Sequence, residues 1–75
     1  MKTNVLKAKM KLKELNNDEI LLHLSKFGVS MSKASWYRKL NGTTEFDRNE
    51  IYGLIEVLEL SAEETQDIFF NQEVS

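Results

Sequence analysis

Signals for the start of a helix recur along this chain of 75 residues, and they restrict its fold more than any other feature. At three places a residue that can cap a helix is followed three positions later by a glutamate, which is the spacing of a capping box. The three pairs are Asn16 with Glu19, Asp47 with Glu50, and Ser61 with Glu64. The chain also contains no proline, a residue that interrupts helices. These features predict an all-α protein of short helices joined by turns.

A fourth start signal opens the most informative stretch, residues 31–42. Ser32 can act as an N-cap, because its hydroxyl can accept a hydrogen bond from an amide of the first turn. Trp36 and Leu40 are four residues apart and are expected to face inward together. The Asn-Gly pair that ends at Gly42 can close the helix in the left-handed conformation. The stretch predicts a short helix with an anchored aromatic side and an outward face of small and basic side chains.

The whole chain is predicted to form five helices. They are expected over about residues 4–14, 17–26, 33–40, from 48 through at least 58, and 62–70. Gly28 is expected to be the left-handed residue after the second helix, and the fifth helix is expected to bury Ile68 and Phe69. Alternating lysines in the first helix would also suit a strand, but its Ala, Met, Leu, Lys and Glu residues favour a helix. Gly53 inside the fourth helix weakens it, which predicts close packing of another element at that point. We expect one domain over residues 1–75, a five-helix bundle, with residues 71–75 as a frayed tail.

The charged side chains are distributed unevenly between the two parts of the chain. Residues 1–40 contain nine basic and three acidic side chains, whereas residues 41–75 contain one basic and nine acidic side chains. The first part therefore carries +6 and the second −8, within an overall charge of −2. Such asymmetry indicates a charged partner for one of the parts. A solvated surface of uneven charge is the alternative.

Several classes of protein are disfavoured by what the sequence lacks. Without cysteine, neither a disulfide framework nor a thiolate zinc site is available, which fits a cytoplasmic location. No apolar run is long enough to span a membrane, and the first residues do not have the pattern of a signal peptide. His23 is the only histidine, and no evident acid, base or nucleophile accompanies it. We therefore expect no enzymatic activity, no cofactor and no bound metal.

The second and third helices, with the turn between them, have the pattern of a helix-turn-helix. Three segments carry a resemblance to a known family: NNDEI at 16–20, SKASWYRKLNG at 32–42 and EFDRNEI at 45–51. They resemble the phage Cro/repressor-type, XRE-like family of small helix-turn-helix transcriptional regulators. The resemblance implies a lambda-repressor-like domain that binds a double-stranded DNA operator in the bacterial cytoplasm, within a phage or prophage lytic–lysogenic switch. It leaves open whether the protein is a monomer or a homodimer.

The resemblance also implies which residues contact DNA. The start and outer face of the third helix would read base edges, whereas polar residues that flank the helices would hold phosphates. The residues of the third helix are Ser32, Lys33, Ala34, Ser35, Tyr37 and Arg38. The flanking residues are Asn17, Asn41, Thr43 and Thr44. From the residues alone, Ser32 and Asn41 can equally be helix caps.

Two features of the sequence depart from the family pattern. The turn between the second and third helices is longer than the family's usual tight turn. Leu21 stands where the family usually has a small residue, at the point where these two helices approach each other. The longer turn can still deliver the third helix to a DNA groove.

A second function is open to the same fold. A small phage regulator of this kind can act as an antirepressor or modulator, by binding the cognate repressor protein. Leu12 and Leu22 fall where the family has charged or polar residues, and they would supply an apolar anchor. Glu56 and Glu59 belong to the acidic part of the chain and would attract a basic surface. Alternatively, the two leucines are ordinary exposed side chains, or the long turn covers them.

Overall fold

A computed structural model describes residues 3–70 of the chain. The part of the chain that it describes is all-helical and compact, with no strand. Its helices are α1 (Thr3–Leu12), α2 (Asn17–Lys26), α3 (Lys33–Leu40), α4 (Arg48–Leu58) and α5 (Ala62–Thr65). A π-helical turn, Gln66–Phe70, continues directly from α5. The predicted all-α, five-helix architecture is confirmed. Among residues 3–70, no helix has both the length and the hydrophobicity that a membrane-spanning helix requires.

The predicted helix starts are confirmed because each cap is a local arrangement of neighbouring residues. All three capping boxes are complete, with the side chain of the cap and the side chain of the glutamate both bonded to backbone amides. At the start of α3, the Ser35 amide donates to the Ser32 hydroxyl at 3.1 Å. Two of the helix ends also agree with the sequence prediction. Gly28 and Gly42 have φ values of +82° and +83°, a left-handed conformation that glycine adopts readily.

The hydrophobic core lies between α1, α2, α3, α4 and the π turn, whereas α5 has no buried residue. The fully buried side chains come from α1, α2, α3, α4 and the π turn: Leu6, Ile20, Leu24, Trp36, Leu54, Leu58 and Ile68. Trp36 is the largest of them, and its ring lies 5.7 Å from that of Phe46. Phe46 in turn meets the half-buried Phe69 edge-on, with 5.7 Å between ring centres. This row of aromatic rings joins α3 to the end of the chain that the structure describes.

Gly53 is the point of closest approach between α4 and the unit formed by α2 and the segment that follows it. A Cβ atom at Gly53 would lie 2.8 Å from Leu24 Cδ2 and 3.2 Å from Val29 Cγ2. The first distance is shorter than carbon atoms tolerate, so a side chain there would displace its neighbours. The prediction that this glycine marks close packing is confirmed.

Two helix ends differ from the sequence prediction. The first helix ends at Leu12, two residues early, because Glu14 adopts a left-handed backbone with a φ of +57°. The fifth helix is α-helical only to Thr65 and then widens into the π turn. In that turn Ile68 is buried as predicted, whereas Phe69 is only half-buried. Residues 71–75, expected to be a frayed tail, lie outside the described residues.

Ion pairs tie α1 to the second half of the chain. Lys9 Nζ lies 2.8 Å from Glu64 Oε2, and Lys13 Nζ lies 2.9 Å from Glu59 Oε2. The bond from Lys9, together with that from the Ser61 amide, lowers the pKa of Glu64 to about 2. Lys13 similarly lowers the pKa of Glu59. The two pairs connect α1 with α5 and the end of α4, and they use two of the lysines that give residues 1–40 their positive charge.

Trp36→Ala tests whether this core is organised as described. Removing a large, fully buried side chain should lower the free energy of unfolding by about 3–5 kcal/mol, which is a large part of the stability of a small domain. Urea unfolding followed by circular dichroism measures the change. The matched control is Tyr52→Ala, which removes an exposed aromatic ring and should have a much smaller effect. Equal stabilities for Trp36→Ala and the wild type would show that the indole is not in the core.

Candidate nucleic-acid interface

The segment that joins α2 to α3 covers residues 27–32 and is as long as the sequence indicated. Its first residues form a hydrogen-bonded turn at the end of α2, in which the amides of Phe27 and Val29 both donate to the Leu24 carbonyl at 3.0 Å. Gly28 provides the left-handed residue, and Val29 then turns into the core. The segment is therefore fixed to the core through Val29 and the partly buried Met31, whereas its other residues are exposed. Leu21, the other departure from the family pattern, is partly buried against the core.

Asn17 fastens the start of α2 to α3. Its Oδ1 accepts a hydrogen bond from Trp36 Nε1 at 2.9 Å, and its Nδ2 lies 3.4 Å from the hydroxyl oxygen of Tyr37. Sequence reasoning placed Asn17 at a phosphate and missed this internal role. The available signal was the buried tryptophan, because its indole N–H needs an acceptor when it leaves water. The Asn17 amide thus satisfies the only polar atom of the core indole.

The outward face of α3 carries most of the residues predicted to read DNA bases. The exposed members are Ser32, Lys33, Ala34, Tyr37 and Arg38, and Ser35 is half-buried. Arg38 forms no ion pair within residues 3–70. Lys33, in contrast, is paired with Asp18 at 2.8 Å, and the hydrogen bond and charge of Asp18 raise the pKa of Lys33. The sequence analysis did not foresee this acidic partner from α2.

Lys39 belongs to α3 but is turned away from this face. Its Nζ lies 2.6 Å and 2.5 Å from the two carboxylate oxygens of Glu50, and both side chains are largely buried. Glu50 also accepts a hydrogen bond from the Asp47 amide at 2.8 Å. Glu50 is thus fully bonded despite its burial, and it fixes the end of α3 against the start of α4. The positive charge of Lys39 is therefore neutralised within the fold and does not add to the charge of the outward face of α3.

The backbone after α3 forms a tight turn, in which two amides approach the Arg38 carbonyl. The Thr43 amide donates to the Arg38 carbonyl at 2.8 Å, and the Thr44 amide approaches the same carbonyl at 3.4 Å. Asn41 is the C-cap, and its own amide donates to the Tyr37 carbonyl at 3.0 Å. The side chains of Asn41, Thr43 and Thr44 are all exposed. The turn therefore keeps the three predicted phosphate contacts next to the end of α3.

An open groove of about 490 Å³ separates α1 from the start of α2 and the end of α3. Three predicted site residues line it together: Asn17, Tyr37 and Asn41. Lys7 and Lys11 complete its rim, and within the described part of the chain neither forms an ion pair. None of the residues that line the groove is acidic. Sequence reasoning missed both lysines, although their spacing of four residues places them on one face of a helix.

The residues predicted to bind a protein partner lie apart from this groove. Leu12 and Leu22 are 76% and 57% exposed, so the long connecting segment does not cover either of them. Glu59 is paired with Lys13. Glu56 lines a different cleft, of about 320 Å³, together with the exposed rings of Phe27 and Tyr52.

The described residues contain no group of three or more His, Cys, Asp or Glu side chains that could hold a metal ion. Comparison with known proteins identifies no relative, because no protein-family model, curated protein or solved structure matches the chain. The candidate site consists of a helix with a small and basic outward face and, beside it, a groove with a positive rim.

Asn17→Ala tests the link between α2 and α3. The substitution removes the acceptor of the Trp36 indole and leaves a buried N–H unpaired, which should lower the free energy of unfolding by about 1–3 kcal/mol. Asn49→Ala is the matched control, because Asn49 is an exposed residue in the first turn of α4. Thermal and urea unfolding of both variants provide the comparison. If the two variants were equally stable, the Asn17–Trp36 bond would have no part in holding α3.

Proposed function

We propose that this protein is a sequence-specific, DNA-binding transcriptional regulator in which α2, residues 27–32 and α3 act as a helix-turn-helix. The observation that carries the proposal is the continuity of the outward face of α3 with the groove rimmed by Lys7 and Lys11. A single α-helix fits the major groove of B-form DNA, and lysines beside it can meet phosphates. With the resemblance to Cro/repressor-type regulators, this supports a role in the bacterial cytoplasm, in a phage or prophage lytic–lysogenic switch.

In this proposal α3 reads the bases. Arg38 and Lys33 donate to the acceptors of guanine, and the methyl group of Ala34 contacts thymine. Ser32 and Ser35 can bond to several bases, since a hydroxyl both donates and accepts. Arg38 is the principal reader, because it is exposed and no carboxylate in the described part of the chain competes for its guanidinium group.

The groove and the turn after α3 hold the DNA backbone. Lys7 and Lys11 provide positive charge, and Asn41, Thr43 and Thr44 provide short polar side chains of the kind that contact phosphates. Asn17 acts through its neighbours, since its amide positions Trp36 and Tyr37 and thereby the register of α3. This arrangement requires that the acidic helices α4 and α5 face away from the duplex.

The proposal predicts two kinds of effect on binding to a short duplex recovered by in vitro selection. Arg38→Ala should weaken binding to that duplex by about 1–3 kcal/mol, through the loss of a base contact. Lys7→Ala and Lys11→Ala should weaken binding to selected and scrambled duplexes alike, and each should reduce the salt slope by about 1. Fluorescence anisotropy at several salt concentrations measures affinity and slope together.

Lys26→Ala is the matched control for charge. Lys26 lies at the opposite end of α2 from Asn17 and is exposed. Its replacement should leave the affinity for both duplexes and the salt slope nearly unchanged, because it would meet no phosphate. Unchanged affinity for the selected duplex in a Lys33→Ala, Arg38→Ala double variant would exclude α3 as the reading helix.

A second candidate function is binding to the cognate repressor as an antirepressor or modulator. The observation that favours it is the exposure of two large apolar side chains, Leu12 and Leu22, which the connecting segment does not cover. Glu56 adds an acidic group that has no ion-pair partner among residues 3–70. Burial of an exposed leucine would contribute hydrophobic free energy to a complex, and a complementary charge would speed association.

Calorimetry with the cognate repressor separates the second function from the first. A complex at micromolar concentration is expected if the protein is an antirepressor, and Leu12→Ser or Leu22→Ser should then speed dissociation without changing the melting temperature. Reversal of Glu56 to Lys should instead slow association, because long-range charge acts mainly on the on-rate. The absence of both heat and complex would leave DNA binding as the remaining proposal.

A further inference from the structure

The ion pair between Asp18 and Lys33 stands at the front of the proposed DNA-reading surface. Lys33 is the first residue of α3, and Asp18 lies in the first turn of α2. Their Nζ and Oδ1 atoms are 2.8 Å apart, while the two side chains remain 57% and 71% exposed. A DNA duplex that binds to this surface can therefore reach both side chains.

The ion pair between Asp18 and Lys33 is expected to contribute little to the stability of the fold. Exposed ion pairs contribute little to folding, because water and salt screen them. The start of α2 is already capped by the complete box between Asn16 and Glu19, and α2 is already joined to α3 through Asn17 and Trp36. A carboxylate at this position also repels phosphates, so it works against simple electrostatic attraction to DNA.

The chemistry of lysine suggests what the pair can do. An ammonium group has three donors, so Lys33 can keep its bond to Asp18 and still donate to a neutral acceptor such as guanine O6 or N7. A phosphate is different, because its negative charge competes with Asp18 for the same ammonium group and is repelled by the carboxylate. The pair is thus compatible with a base contact and unfavourable for a backbone contact.

We propose that Asp18 is a specificity-determining residue, which prevents Lys33 from adding to non-specific DNA binding while it leaves Lys33 able to contact a base. This inference rests on the proposed DNA-binding function and deepens it. On arbitrary sequence, Lys33 stays with its internal counter-charge and neutralises no phosphate, so no DNA counterion is released on its account. On the matching sequence, Lys33 contributes its hydrogen bond to the base.

Asp18→Asn is the direct test, because it keeps the shape of the side chain and removes its charge. Lys33 then becomes available to phosphates, so affinity for a scrambled duplex should rise, by up to about tenfold at moderate salt, with a slope steeper by about 1. Affinity for the selected duplex should rise less, and the ratio of the two affinities should fall. Anisotropy with both duplexes at several salt concentrations gives all three quantities.

Two further variants separate this role from a general effect of charge. Glu63→Gln removes the same charge from an exposed position in α5, and it should change affinity for both duplexes by the same small factor. In a Lys33→Met background, Asp18→Asn should have no more effect than Glu63→Gln. Thermal melting of each variant establishes that it is folded.

The outcomes distinguish this inference from the function on which it rests. If the wild-type protein bound neither duplex, the proposed function would fail, and the role of Asp18 with it. If the wild type bound both and Asp18→Asn behaved like Glu63→Gln, the inference alone would be overturned. Weaker binding of Asp18→Asn to the selected duplex would also overturn it, since Asp18 would then be a direct contact.

Discussion

The burial of Trp36 with a satisfied indole N–H is the interaction on which the rest of the structure depends. A helix of eight residues such as α3 does not persist alone in water, because too few hydrogen bonds offset the cost of starting it. Trp36 supplies the missing stabilisation through its full burial and its contact with Phe46. Asn17 lowers the free-energy cost of that burial by accepting the indole N–H. Once Trp36 is fixed, the outward face of α3 is fixed as well.

Charge pairing across the fold determines which basic side chains remain for a partner. The sequence divides into a positive first part and a negative second part, but the fold brings lysines from the first onto carboxylates of the second. Lys9, Lys13 and Lys39 are neutralised in this way. Among the described residues of the first part, Lys7, Lys11, Lys26 and Arg38 remain outside ion pairs. The basic surface is therefore narrower than the sequence charge suggests, and all of these residues except Lys26 lie on α3 or line the groove beside it.

The features that could be predicted from the sequence are those decided within a few residues. Capping boxes depend on residues three positions apart, and the left-handed stops at Gly28 and Gly42 depend on glycine itself, so both could be recognised directly. Gly53 was also informative, because a glycine inside a helix has a cost that needs a reason. The end of α1 escaped prediction, since Glu14 takes a left-handed conformation that glycine or asparagine usually provides.

The contacts that define the candidate site join distant parts of the chain, and local patterns do not specify them. Asn17 reaches Trp36 across 19 positions, and Glu50 reaches Lys39 across 11. Periodicity placed Trp36 inside and Arg38 outside, but it could not say which acid would meet which lysine. For the same reason, sequence reasoning pointed to residues of α3 but not to the lysines of α1 that line the groove beside them.

The central claim is that a DNA duplex binds across α3 and the groove beside it. Its most direct test is an NMR titration of the labelled protein with the selected duplex, followed through backbone amide and arginine side-chain signals. The account predicts that the largest shift changes fall at residues 33–38, at the start of α2 and at residues 41–44, with smaller changes near Lys7 and Lys11. Changes confined to α4 and the cleft between Phe27 and Tyr52, or no changes at all, would contradict it.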